Sequence, residues 1–123
     1  MTAGGARVSL VALAVLLAVG ATADAHAFLE RADPRVGSTV RSSPDKVRLW
    51  FTQRLEPAYS RAEVFDDVGQ RVDLGPAALD PGDRMLLTVP VPPLLSGRYR
   101  VRWRVLSVDT HVTDGDFTFT VAK

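Results

Sequence analysis

The sequence predicts an all-β fold, an antiparallel β-sandwich of Greek-key type. Three observations carry that prediction. Apolar and polar residues alternate at period two through several short segments. Prolines at 34, 44, 57, 76, 81, 90, 92 and 93 punctuate the chain and break any long helix. No stretch carries the apolar spacing of an amphipathic helix, whereas turn residues recur between the alternating segments.

Val47, Leu49 and Phe51 alternate with Arg48, Trp50 and Thr52, which predicts a half-buried strand. Residues 62–65, Ala-Glu-Val-Phe, precede Asp66-Asp67-Val68-Gly69 and then Arg71-Val72-Asp73-Leu74, which predicts a hairpin closed at Gly69. Residues 75–83 are expected to be a surface loop. Met85 to Val89 is an apolar run ended by Pro90, with Met85 expected to fill core space. Tyr99, Val101, Trp103 and Val105 alternate with Arg98, Arg100, Arg102 and Arg104. The first set is expected in the core and the arginines on a solvated face, paired with acidic residues of a neighbouring strand. Phe117, Phe119 and Val121 alternate with Asp116, Thr118 and Thr120 in a last strand.

The first residues follow a different pattern. Arg7 precedes a charge-free, largely apolar run from Val8 to Val19, and Gly20 to Ala25 is rich in small residues. This is the order of a secretory signal peptide, and the run is shorter than the roughly 20 residues that span a bilayer. Ala23-Asp24-Ala25 satisfies the small-residue rule for cleavage and would leave His26 as the new N-terminus. Ala21-Thr22-Ala23 and Ala25-His26-Ala27 satisfy the same rule, so this signal alone leaves the cut open. The reading is a cleaved segment 1–25 and one domain over 26–123, soluble in the periplasm or another extracytoplasmic space.

Lys and Arg number 15 against 14 Asp and Glu, a formal net charge of +1. That balance argues against nucleic acid or an anionic membrane as partner. The chain has no cysteine, which excludes disulfides and thiolate metal sites.

Two histidines are present, His26 and His111. His111 stands two residues after Asp109, between the two strongest strand patterns. If the backbone is extended there, both side chains project to one side, with their backbones about 7 Å apart. A histidine freed as the N-terminus offers its amine and its imidazole to one ion. With His111 and Asp109 it would form an N,N,N,O set, which suits the tetragonal preference of Cu(II). Zinc prefers tetrahedral sites, often with cysteine, and calcium and magnesium prefer oxygen. The structural alternative for Asp109 is a turn residue that bonds a nearby backbone N–H.

The sequence also resembles the CopC family of bacterial copper-resistance proteins. The resemblance runs through His26-Ala27-Phe28-Leu29, Ala32-Asp33-Pro34, Val36-Gly37-Ser38, residues 47–51 (Val-Arg-Leu-Trp-Phe) and Leu55-Glu56-Pro57. Its most specific block extends from Tyr99 to His111, and Gly115 to Phe119 closes it. This similarity implies an Ig-like or cupredoxin-like Greek-key sandwich or barrel and a soluble, non-enzymatic copper carrier or buffer. It implies one Cu(II) per chain, held by the amine and imidazole of His26 with Asp109 and His111, which selects the cut after Ala25. It also implies work alongside a membrane copper transporter, and a monomer is expected. Some members carry a methionine-rich Cu(I) segment, whereas Met85 is the one methionine here after Met1. A Cu(II)-only protein is therefore expected. Two other readings remain: an oxidative copper enzyme of the monooxygenase type, and a metal-free Ig-like interaction module.

Overall fold

A computed structural model describes residues 27–123 of the protein. The proposed signal segment and His26 lie outside the described residues. The strands in chain order are β1 (Leu29–Asp33), β2 (Thr39–Val40), β3 (Lys46–Phe51), β4 (Arg61–Phe65), β5 (Ala78–Asp80), β6 (Asp83–Pro90), β7 (Gly97–Leu106) and β8 (Val112–Val121). A single 3₁₀ turn, Pro57–Tyr59, lies between β3 and β4.

The strands form two four-stranded sheets, β1-β3-β6-β5 and β2-β8-β7-β4. The chain passes between them repeatedly before the two long strands β7 and β8 close the second sheet. The arrangement is a sandwich, as period-two patterning predicts. One pairing departs from the antiparallel expectation: β2 runs parallel to β8. Two residues suffice for that edge pairing, because the chain crosses from the other sheet and never forms a hairpin with β8.

The inward-facing positions of both sheets make one core. Val47, Leu49 and Phe51 from β3, and Leu87 and Val89 from β6, meet Val101, Val105, Phe119 and Val121 from β7 and β8. Ring pairs bridge and brace these layers. Phe51 meets Trp103 edge-on at 5.2 Å, and Tyr99 stacks on Phe119 at 5.6 Å. Trp103 lies opposite Gly115 in the β7–β8 register. A Cβ at Gly115 would stand 2.6 Å from the indole, so only glycine lets the ring lie there. Such edge-to-face and offset ring pairs contribute beyond simple burial.

Four expectations are corrected. Met85 is 40% exposed, so it does not fill the core. It precedes the inward-facing positions of β6, which begin at Leu87. Residues 75–83 are not wholly a loop, because Ala78–Asp80 pairs with β6. The expected second arm of the β4 hairpin is reduced to a single bridge between Phe65 and Arg71. Asp73 explains this, because its carboxylate takes the Val64 amide at 2.9 Å in place of a backbone carbonyl. Trp103 is only partly buried, although it packs against the core.

The arginine face follows expectation. Arg98, Arg100, Arg102 and Arg104 are all exposed on β7. Arg100 meets Asp116 at 3.5 Å and Arg104 meets Asp114 at 3.6 Å, both across to β8. Pairs this open to water contribute little to stability.

Candidate metal centre

Asp109 and His111 sit at one end of the sandwich, where β7 turns into β8. Ten consecutive residue pairs, from Gly97↔Val121 to Leu106↔Val112, hold those strands in register and fix the base of the turn. Above them Ser107 is fully buried and anchors both arms. Its amide donates to the His111 carbonyl at 3.0 Å, and its hydroxyl accepts the His111 amide at 3.3 Å. Its carbonyl accepts the Thr110 amide at 2.9 Å, which closes a four-residue turn.

The backbone is therefore not extended through Asp109-Thr110-His111, as strand alternation would have it. Thr110 has φ of 70°, a left-handed conformation that a β-branched residue rarely adopts. The bonds from Ser107 on both sides hold it there. Strand spacing thus does not describe how Asp109 and His111 are displayed; a tight, pinned turn does. A further bond, from the Val108 amide to the Arg54 carbonyl at 3.0 Å, ties the turn to the chain leaving β3.

All residues from Val108 to Val112 are exposed. Among the described residues no hydrogen bond or ion pair engages the Asp109 carboxylate. The turn is closed by Ser107, so the reading of Asp109 as a turn-stapling carboxylate does not hold. Its neighbour His111 supplies the imidazole of the same turn.

The start of the described chain reaches this end of the molecule. Ala27 is fully buried, and its carbonyl accepts the Thr113 hydroxyl at 2.6 Å. Phe28 donates its amide to the Thr52 hydroxyl at 3.0 Å and accepts the Thr52 amide at 2.9 Å. The residue joined to His26 is therefore bonded to Thr113, two residues beyond His111.

Among the described residues no group of three or more His, Cys, Asp or Glu side chains could by itself hold a metal. Asp109 and His111 supply two donors from one exposed turn. Their oxygen and nitrogen chemistry fits a divalent copper ion, and a complete set needs donors from outside the described residues. Sequence reasoning missed Ser107, Thr52 and Thr113. No signal in a single sequence separates a hydroxyl that holds a distant backbone from an ordinary strand threonine.

A sequence model described as the CopC domain matches residues 29–122. The chain belongs to the CopC family. It is 35% identical over 119 residues to a copper resistance protein C of Xanthomonas campestris pv. juglandis, covering 92% of each chain. Among solved structures it is similar to CopC from Methylosinus trichosporium OB3b, with a TM-score of 0.74 and 38% identity over 78% of this chain and 93% of that one. It is also similar to PcoC of Escherichia coli, with a TM-score of 0.72 and 32% identity over 80% of this chain and all of that one. PcoC is described as a methionine-rich copper resistance protein. In this CopC-family chain Met85 is the one methionine among the described residues.

Proposed function

We propose that this protein is an exported copper(II) carrier or buffer serving copper resistance or homeostasis. One Cu(II) would be bound by the amine and imidazole of His26, the His111 imidazole and the Asp109 carboxylate. The observation that carries this reading is the bond from Thr113 to Ala27. It brings the residue following His26 to the strand that starts just after His111, and so to the end of the sandwich that displays the Asp109 carboxylate.

The copper is cargo, and what the chain does is hold and release it. Three nitrogens and an oxygen complete the tetragonal set that Cu(II) prefers. With Asp109 in the fourth place no equatorial position stays open for oxygen, which favours a carrier over an oxidative enzyme. Binding requires a neutral amine, neutral imidazoles and an ionised carboxylate. Protons compete with the ion for these donors, so affinity falls as pH drops. Export follows from the signal pattern of residues 1–25, and its cut after Ala25 is what frees the amine. A single exposed thioether at Met85 does not make a soft-donor site, so no separate Cu(I) site accompanies this one.

The test begins with the mass of the exported protein, expected to start at His26. Cu(II) titration followed by electron paramagnetic resonance should give a 1:1 signal with nitrogen couplings that changes in His111→Ala. One additional residue before His26 should weaken binding strongly, because the amine leaves its chelating position. Equal affinity with that extra residue would refute the proposed ligand set.

A further inference from the structure

An N-terminal chelate poses a physical problem. Chain ends fray unless something ties them down, and a frayed ligand must be ordered each time the ion binds. Here residues 27 and 28 are clamped by two threonine hydroxyls, one just past the end of β3 and one on β8. Thr52 exchanges bonds with Phe28, while Thr113 holds the Ala27 carbonyl from 86 positions away in sequence. The two clamps have different consequences. Thr52 ties the chain to the first sheet. Thr113 ties it to the strand that starts just after His111, within the most extensively paired part of the fold.

We propose that Thr113 is a positioning residue whose bond to the Ala27 carbonyl holds the start of the described chain against the strand that follows the β7–β8 turn. It thereby preorganises a chelate built from remote parts of the chain. This rests on the copper reading above. Consecutive Cα atoms are about 3.8 Å apart, so holding Ala27 confines the residue before it to a small volume. The Ala27 carbonyl is buried with its residue, so removing the hydroxyl leaves a buried acceptor without its donor and favours local opening of the segment. A preorganised chelate spends less of its binding free energy on ordering its ligands, and supporting bonds of this kind change metal affinity about 10- to 100-fold.

The test compares Thr113→Val, Thr113→Ser and a core variant remote from the turn, Val89→Ala, each in the protein processed to His26. Two quantities are read: amide hydrogen exchange of Phe28 and Thr52 without copper, and the Cu(II) dissociation constant. Thr113→Val should accelerate exchange at both amides and weaken Cu(II) binding by at least about tenfold. Thr113→Ser keeps a donor and should restore both towards the wild-type values. Val89→Ala should lower the melting temperature while leaving affinity within about twofold, since it touches none of these bonds. Unchanged exchange in Thr113→Val would overturn the inference without reference to copper. So would wild-type affinity in that variant, or an equal loss of affinity in Val89→Ala. Tight binding by a protein with a residue added before His26 would instead bring down the ligand set, and this inference with it.

Discussion

Two loops of this sandwich use aspartate in opposite ways. In the segment after β4, Asp66 accepts the Val68 amide at 3.1 Å and the Gln70 amide at 2.8 Å, which stitches the turn together. Asp73 accepts the Val64 amide and pairs with Arg71 at 3.0 Å, with its side chain fully buried. In the β7–β8 turn the stitching is done by Ser107, and among the described residues nothing engages the Asp109 carboxylate. A carboxylate that closes a turn has its oxygens occupied. One presented by a turn that something else closes keeps them for a ligand. The difference separates a structural aspartate from a candidate ligand without any appeal to residue type.

The comparison can be broken by exchanging one carboxylate at a time. The largest expected effect on folding is at Asp73. Asp73→Ala leaves the buried Val64 amide without an acceptor and should destabilise the protein by about 1–3 kcal/mol in urea denaturation, with copper affinity unchanged. The same residue sets a pH dependence. Burial raises the Asp73 carboxyl, but the bonds from Arg71 and the Val64 amide outweigh it and hold it below the ordinary carboxylate value. Its stabilisation is therefore complete above the unfolded value of about 3.9 and is lost as pH falls through the lower folded value. Melting temperature should drop in that acid window for wild type and less steeply for Asp73→Asn.

Asp66 comes next. Its turn is more exposed, and Asp66→Ala should cost about 0.5–1.5 kcal/mol by the same denaturation measurement. Asp109 should show the smallest effect on folding. Asp109→Ala should stay within about 0.5 kcal/mol of wild type without copper, because it removes no bond within the described residues. The same variant should weaken Cu(II) binding by calorimetric titration. A folding loss at Asp109 as large as that at Asp73 would erase the distinction between the two loops.

Much of the fold is legible in the chain, for a reason visible strand by strand. Over residues 98–105 of β7 and 116–121 of β8 each inward residue is apolar and each outward one is polar, and β3 departs from this at outward Trp50 alone, so the period itself carries the answer. β1 is not legible in this way. Leu29–Asp33 buries Ala32 alone among its residues and contains a register shift, so it has no alternation to read. β2 and β5, of two and three residues, are too short to show any period. Met85 misled because an apolar run does not say where its inward face begins.

The candidate site divides in the same manner. Asp109 and His111 stand two residues apart, and family resemblance singles them out together with His26. What linear spacing could not supply is the turn. Thr110 in a left-handed conformation replaces the extended backbone that spacing suggests, and it is held by bonds to a buried serine.

By itself the sequence determined the strand period, the absence of thiol chemistry, the signal-like order of residues 1–25 and the identity of the ligand candidates. These depend on residue type and local order, which a linear chain contains in full. Only the tertiary structure decided that Asp109 is not a turn staple and that the residue after His26 is bonded to Thr113. The first rests on a serine that the packed fold buries at the base of the turn, and the second on a contact between positions far apart in the chain, where no local pattern specifies which distant hydroxyl will meet which carbonyl.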